Sequence, residues 1–248
     1  FAVTLAIFIR LETRTKEPMI DLSIFRNRLF SVNLITGFFT FIVTAGTMII
    51  LPLYLQNVLG FGPRQSGLML AVTPVMVAIT APIAGTLSDR FGSGIITSVG
   101  LTVLLFGQIM VSTLAKDTTV IGCLVRFIPV GIGIGLFQAP NNSAVMGSSP
   151  RERSGVASSL LSLTRTIGQT TGIALLGAFW ERQVSALAGN VHYENVTLAP
   201  VTAQVGGLVN TIHLVIILVT IGLCLSLWAL VIWLRSRNNA LSAVSIEI

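Results

Sequence analysis

Charged residues are scarce in this sequence, at 10% of its 248 residues, whereas an ordinary soluble domain has roughly 25%. Hydrophobic residues account for 53%, so too few charges remain to cover a surface that faces water. This composition excludes a soluble enzyme, a nucleic-acid binder and a disordered tail. The net charge of +6 is therefore interpreted as a sign of membrane topology rather than of nucleic-acid binding.

Cysteine and histidine are also scarce, with two of each. Cys123 and Cys224 both lie inside apolar stretches, which implies no disulfide framework. The sequence contains no cluster of residues with the spacing of metal ligands, no nucleophile and base pair of a catalytic site, and no phosphate-binding loop. It therefore predicts no metal, no cofactor and no enzymatic activity.

Long apolar stretches dominate the sequence instead. They occupy 30–56, 67–87, 95–114, 120–141, 155–180 and 209–234. Each is close to the roughly 20 residues that a helix needs to cross a bilayer, and lipid cannot satisfy the backbone of any open structure. The sequence predicts an all-α polytopic membrane protein with six transmembrane helices.

The domain organisation follows from these stretches. Residues 1–9 are apolar but too few to span a bilayer, and they are predicted to be the end of a truncated preceding transmembrane helix. We therefore expect the chain to be the C-terminal part of a longer protein. Residues 10–29 are predicted to form a linker, 30–234 the six-helix domain and 235–248 a tail.

Basic residues are distributed unevenly between the two sides of the predicted spans. Ten lie in the linker, the loops 88–94 and 147–154 and the tail, whereas three lie in the alternate loops. The excess of lysine and arginine predicts that the first group is cytoplasmic. The other two, Arg126 and Arg165, lie within spans, while all nine acidic residues lie outside the spans or at their edges.

A short polar loop follows the second span, with the sequence Gly-Thr-Leu-Ser-Asp-Arg-Phe-Gly at 85–92. Asp89 and Arg90 fall at a helix end, where a carboxylate can cap a neighbouring helix or pair with a basic partner. Gly85 allows close helix approach and Gly92 allows a tight turn. An ordinary tight turn is the alternative.

The fourth span combines one arginine with prolines and glycines. Its notable residues are Arg126, Pro129, Gly131, Gly133, Gly135, Gln138, Pro140 and Asn141. Small residues permit close helix packing, and the two prolines leave carbonyls without donors, which predicts a bend. Arg126 lies about six residues inside the outer boundary, so extension of its side chain to the interface is the alternative to a buried role.

The fifth span has a polar stripe. Ser158, Ser162, Arg165, Gln169 and Gly172 recur at intervals that place them on one helical face. A charge as deep as that of Arg165 is expensive and normally faces the bundle interior or a wet cavity. Binding to the carbonyls of a bent neighbouring helix is the alternative.

The first span also has a polar stripe, which includes Asn33, Thr40 and Thr44. Such stripes serve either helix packing or substrate contact.

These motifs resemble those of a known family. The loop at 85–92 is similar to the G-x-x-x-D-R-x-G signature of the major facilitator superfamily, although Ser93 and Gly94 stand where basic residues are usual. Arg126 and the glycines after it resemble a superfamily motif whose arginine is associated with proton transfer or coupling. Residues 149–155 and 163–169 look like the corresponding loop and helix of the EmrB/QacA-like drug–proton antiporters, a fourteen-span branch of the superfamily.

The resemblance implies one major-facilitator-type half, built as two three-helix inverted repeats, that rocks against an N-terminal half to alternate access to a central site. It implies proton-coupled export of drugs or other small hydrophobic compounds across the plasma membrane, with the proton gradient as energy source. The partners would be the lipid bilayer, the missing N-terminal half and a small-molecule substrate. The substrate and coupling candidates are Asn33, Thr40, Thr44, Arg126, Gln138, Asn141, Arg165 and Gln169. The gating loop would contain Gly85, Asp89, Arg90 and Gly92, and the fourth helix would bend at Pro129, Gly131, Gly133, Gly135 and Pro140.

Two alternatives to a drug exporter stay open. Because the spans contain two arginines and no carboxylate, the same fold could export an anionic metabolite, a siderophore or a peptide. A six-span membrane enzyme or channel subunit would need clustered catalytic residues or a filter segment, and neither is found. In a proton antiporter, the proton-binding carboxylate would have to lie in the missing half.

Overall fold

Six helices make up most of the computed structural model, which describes residue 10 and residues 22–150, 153–189 and 196–244. They are α1 (Arg28–Leu53), α2 (Pro63–Phe91), α3 (Ser93–Val111), α4 (Val120–Gly147), α5 (Ser154–Leu187) and α6 (Val201–Val244). No strand occurs in these ranges, and the all-α prediction is confirmed. The predicted helix end at 1–9, nearly all of the linker before residue 22 and the last four residues of the tail lie outside the described residues.

The ends of the helices have recognisable local causes. The Asn27 side chain accepts hydrogen bonds from the amides of Leu29 (3.0 Å) and Phe30 (3.4 Å) and so caps α1. Thr119 caps α4 in the same way, through the Gly122 amide at 3.2 Å. Gly92 turns the chain between α2 and α3 at a φ of +95°, a conformation that glycine adopts at little cost.

Two helices of the first repeat have local irregularities. The first, α1, continues beyond Leu53 as one π-helical turn over Tyr54–Val58. The second, α2, consists of Pro63–Leu70 and Val72–Phe91, joined at Ala71.

Five of the six helices are long and apolar enough to cross a membrane. The exception among the described helices is α5, whose 34 residues include Arg165, Gln169 and several serines and threonines. These polar residues lower its mean hydropathy, although it packs against α1 and α6 like a member of the bundle. Most helices are longer than the predicted spans, because hydropathy reports the apolar part of a helix and not its continuation beyond the membrane.

The packing of the helices repeats once. In the first unit α1 contacts α5 and α6 of the second unit. In the same way, α4 of the second unit contacts α2 and α3 of the first. These matching contacts relate α1–α3 to α4–α6. Asn27, just before α1, donates to the Ser148 carbonyl just after α4, and Tyr54, just after α1, donates to the Ala115 carbonyl just before α4, so α1 and α4 run in opposite directions. The arrangement is that of two three-helix inverted repeats, as predicted.

The apolar core lies mainly between α1, α3, α4 and α6. Its fully buried side chains include Leu55, Leu101, Leu104, Phe127 and Ile212. In the most apolar window of α2 only 11% of the residues are buried, against 67% in α1. α2 therefore leaves most of its surface to lipid or to another protein.

Candidate functional site

The contact between α1 and α5 is unusually close because α5 has glycine at the contact points. A Cβ atom on Gly168 would lie 2.9 Å from the Cβ of Phe41, and one on Gly172 would lie 2.7 Å from the Cα of Ile42. Side chains at these two positions would push the helices apart. Gly172 therefore belongs to the buried packing face of α5 and not to its exposed polar stripe.

Arg165 lies one turn before Gly168, at the edge of this contact. Its guanidinium carbon is 5.2 Å from the centroid of the Phe41 ring, a cation–π geometry worth about 0.5–2 kcal/mol. The Nε atom of Arg165 is buried and has no hydrogen-bond partner. The charge is thus held against an aromatic ring, and no described acidic side chain neutralises it.

The rest of the polar stripe on α5 is exposed. Ser158, Ser162 and Gln169 all lie on the surface, and Thr166 and Thr170 extend the same polar area. Hydroxyl groups in this stripe bond to carbonyls of their own helix, as Thr166 does to Ser162 (3.1 Å) and Thr170 does to Thr166 (2.9 Å). Their lone pairs remain available to a substrate, to water or to another protein.

The polar residues of α1 are mostly turned inward. Thr40 is buried and donates to the Thr36 carbonyl at 3.0 Å, and the half-buried Thr44 donates to the Thr40 carbonyl at 2.8 Å. These bonds satisfy the hydroxyl protons within the helix, which agrees with a packing role. A substrate role for Thr40 and Thr44 stays a prediction.

Asn141 occupies the contact between α4 and α1. It is fully buried, and neither its Nδ2 nor its Oδ1 atom has a hydrogen-bond partner. A Cβ atom on Gly37 of α1 would lie 3.2 Å from Asn141 Nδ2. Gln138, about one turn earlier, is half-buried. In this conformation Gln138 is the more accessible of the two candidates on α4.

Arg126 lies at the opposite end of α4, away from the linker. Its Nε atom donates to the Met110 carbonyl (3.1 Å) and to Thr113 Oγ1 (3.0 Å), and Nη1 donates to the Gly122 carbonyl (2.8 Å). Met110 belongs to the last turn of α3, where a cation is favoured by the unsatisfied carbonyls. These contacts show that Arg126 stabilises the α3–α4 connection. Its coupling role stays a prediction.

The loop between α2 and α3 is a tight turn at Gly92. Asp89 is exposed and forms no hydrogen bond or ion pair with a described residue, and α3 begins without a side-chain cap. Arg90 packs over the ring of Phe91, with its guanidinium carbon 5.4 Å from the ring centroid. A Cβ atom on Gly85 would have no neighbouring atom within 4 Å, so this side of the helix faces open space. The gating role of this loop stays a prediction.

The glycines of α4 serve close packing on two sides. Gly131 and Gly135 face α2, where a Cβ atom on Gly131 would lie 2.6 Å from the Thr73 carbonyl oxygen. Gly133 faces Leu104 of α3. Pro129 and Pro140 lie within a helix that runs unbroken from Val120 to Gly147. Bending at these five residues stays a prediction for another conformation.

The structure brings together some candidates and separates others. Arg165 lies at the α1–α5 contact, Thr40 is buried in the bundle, Asn141 lies at the α1–α4 contact, and Arg126 lies at the far end of α4. Asn33 lines a cavity at the end of the bundle where the linker enters α1. Phe41 was not predicted, because an aromatic residue in an apolar stretch carries no signal until the register between two distant helices is known.

Comparisons with known proteins agree with this architecture. The profile of the Major Facilitator Superfamily matches residues 4–173. The uncharacterized transporter YebQ of Escherichia coli K12 is 36% identical over 169 residues, which cover 68% of this chain and 37% of that protein. The multidrug resistance protein Stp of Mycobacterium tuberculosis is 33% identical over 204 residues, covering 82% of this chain and 38% of Stp.

A further relative is the riboflavin transporter RibZ of Clostridioides difficile, 29% identical over 193 residues, or 78% of this chain and 42% of RibZ. The chain thus spans about two fifths of the length of these curated relatives. Inverted repeats of this kind are the building units of many membrane transporter folds. The chain belongs to the major facilitator superfamily, as its motifs indicate.

Proposed function

We propose that this chain is one half of an exporter that moves drugs or other small hydrophobic compounds out of the cell by alternating access. The observation that carries the proposal is the polar face of α5, where Arg165, Ser162 and Gln169 lie beside an otherwise apolar bundle. Polar groups at membrane depth require a wet cavity or a protein partner. The relative Stp, named a multidrug resistance protein, supports drugs as the substrate class.

A second six-helix half is the partner that this surface requires. α2 is largely exposed, and the open sides of Gly85 on α2 and Gly177 on α5 have no neighbouring atom. Small residues on membrane helices allow another helix to approach closely. We infer that the N-terminal half of the same transporter covers parts of α2 and α5 and encloses the central cavity with them.

Energy coupling to the proton gradient requires a group that binds a proton at membrane depth. The described acidic residues are Asp89, Asp117 and Glu181, and all three lie in connections or toward helix ends. A carboxylate in the partner half is therefore the proposed proton site. A neighbouring Arg165 would favour its ionised form, so that proton binding and substrate binding respond to the same charge.

An anionic substrate is the second candidate. The half-buried guanidinium of Arg165 has no acidic partner among the described residues, and a substrate carboxylate would pair with its terminal amino groups by charge-assisted hydrogen bonds. The same site then binds the substrate directly instead of acting on a carboxylate. We propose the plasma membrane as the location in both cases, with the linker and the tail in the cytoplasm.

The experiment begins with the native size of the protein, read by immunoblot with an antibody against residues 239–248. The protein isolated at that size is then reconstituted into vesicles, and the uptake of a cationic dye is followed after an imposed proton gradient. We expect gradient-dependent dye transport that a protonophore abolishes. Transport of anionic compounds but not of the dye would favour the second candidate, and no transport of either would contradict the exporter proposal.

A further inference from the structure

A cavity of about 420 Å³ opens between α1, α3, α4 and α6, at the end of the bundle where the linker enters α1. Its polar lining consists of Asn27, Asn33, Ser93, Ser143, Ser148 and Ser226. An adjoining cavity of about 360 Å³ shares Asn27 and Ser148 and extends to Arg153 at the start of α5. Neither cavity lies on the exposed polar face of α5.

Asn33 is the residue that makes this cavity unusual. Its side chain is nine-tenths buried and lines the cavity, yet it forms no hydrogen bond with a described residue. Buried amides are nearly always hydrogen-bonded. Even the neighbouring Asn27, which is exposed, has a partner, since its Nδ2 atom donates to the Ser148 carbonyl at 2.8 Å. A ligand in the cavity could therefore reach the Asn33 amide.

The amino end of α3 faces the same cavity through Ser93 and Gly94. It has no side-chain cap and no acidic residue in its first turn. The first amides of a helix have no partner within the helix, and they carry a partial positive charge that attracts anions. The uncapped start of α3 thus favours an anion, and the Asn33 amide can donate a hydrogen bond to the same ligand.

The charges around the cavity also favour an anion. No acidic residue is among the described residues that line either cavity, whereas Arg153 lines the second one. Apolar side chains are exposed next to the cavity residues of α3 and α6, among them Ile95, Val99, Trp228 and Val231. Acyl chains of a lipid have a surface to lie on beside this opening.

We propose that this cavity binds a phosphate group that has no positive charge beside it, either in the headgroup of an anionic phospholipid or free in solution, with the Asn33 amide and the first amides of α3 as its donors. The cavity volume is within the range of small-molecule sites and is large enough for a glycerophosphate headgroup. The site is separate from the exposed face of α5, so it is independent of the substrate proposed above.

The test measures the unfolding midpoint of the purified protein at its native length, in detergent, during titration. Phosphatidylglycerol, phosphatidylcholine and inorganic phosphate are added separately. The main variant is Ser93→Asp, which places a carboxylate at the start of α3, where it stabilises the helix and repels an anion. Thr119→Asp is the matched control, because it introduces the same charge at the start of α4, outside the cavity. Asn33→Leu is a second variant, which removes the amide at similar volume.

We expect the midpoint of the unmodified protein and of Thr119→Asp to rise with phosphatidylglycerol. The half-effect concentration should increase roughly tenfold in Ser93→Asp and in Asn33→Leu, which corresponds to about 1.4 kcal/mol of binding free energy. A response to inorganic phosphate alone supports the site and identifies a free anion as its ligand.

An equal response of all variants, an equal response to phosphatidylcholine, or no response to any addition would overturn the proposal. Each variant is compared with its own midpoint in the absence of additions, so a change in basal stability does not obscure the result.

Discussion

The guanidinium of Arg165 on α5 lies over the ring of Phe41 on α1, with 5.2 Å between the guanidinium carbon and the ring centroid. The aromatic face stabilises the charge without neutralising it, since a ring quadrupole carries no net charge. The Nε atom remains buried and unpartnered. Arg165 is therefore fixed in position by α1 while its charge stays available to the exposed side of α5.

Replacement of Arg165 should impair transport more than folding. In Arg165→Gln we expect the initial transport rate to fall about tenfold or more, equivalent to about 1.4 kcal/mol in the barrier, with little change in the unfolding midpoint. Arg165→Lys should recover part of the rate only, because a lysine lacks the planar stacking group. Arg182→Gln, which changes an exposed arginine farther along α5, is the control. Equal losses in both glutamine variants would contradict a specific role for Arg165.

The close approach of α5 to α1 should make Gly172 intolerant of any side chain. A Cβ atom there would lie 2.7 Å from Ile42 Cα, and overpacking of this kind costs about 1–3 kcal/mol. We expect Gly172→Ala to lower the unfolding midpoint in detergent. Gly177→Ala, on the same helix with no atom within 4 Å, should be neutral or stabilising because alanine favours helix. Two equal midpoints would show that the α1–α5 packing is looser than described.

The open side of Gly177 permits a separate test of the partner half. A Cβ atom at Gly177 has no described atom within 4 Å, so we expect Gly177→Leu to insert and fold normally. Its transport rate should fall, since the added side chain obstructs the partner. Thr102→Leu on the exposed side of α3 is the control and should transport normally. If Gly177→Leu transports like the unmodified protein, the partner does not pack at this position.

Arg126 should act mainly through stability. Its Nε atom donates to the Met110 carbonyl in the last turn of α3 and to Thr113 in the α3–α4 connection, and Nη1 donates to the Gly122 carbonyl of its own helix. Loss of such bonds costs about 1–3 kcal/mol. We therefore expect Arg126→Gln to lower the unfolding midpoint, while the pH at which the transport rate is half-maximal stays unchanged. A shifted pH profile at unchanged stability would instead support the coupling role predicted from the motif.

The orientation of the chain is accessible to cysteine labelling. In a background of Cys123→Ala and Cys224→Ser, Lys116→Cys lies in the α3–α4 connection and Arg90→Cys lies in the last turn of α2, and both positions are exposed. We expect a membrane-impermeant maleimide to label Lys116→Cys in intact cells and Arg90→Cys only after permeabilisation. The reverse pattern would place the linker outside the cell.

The sequence by itself determined the class of protein and its helices. Scarce charge and six apolar stretches leave few structures other than a helical bundle in lipid, because every backbone group must be satisfied within its own segment. The glycines at 131, 133 and 135 predicted close packing, since glycine lacks a side chain whatever the surrounding fold. The polar stripe of α5 was also predictable from the spacing of its residues, because a helical period of 3.6 fixes which residues share a face.

Only the tertiary structure decided what those residues touch. Gly172 shares the predicted stripe with Gln169, yet it is buried against Ile42, because the packing face of α5 cuts across the polar face. Asn33 and Thr40 share a stripe on α1 but end in different surroundings, one in a cavity with α3 and the other in the core. Contacts of this kind depend on the register and rotation of helices far apart in sequence, and neither composition nor spacing contains that information.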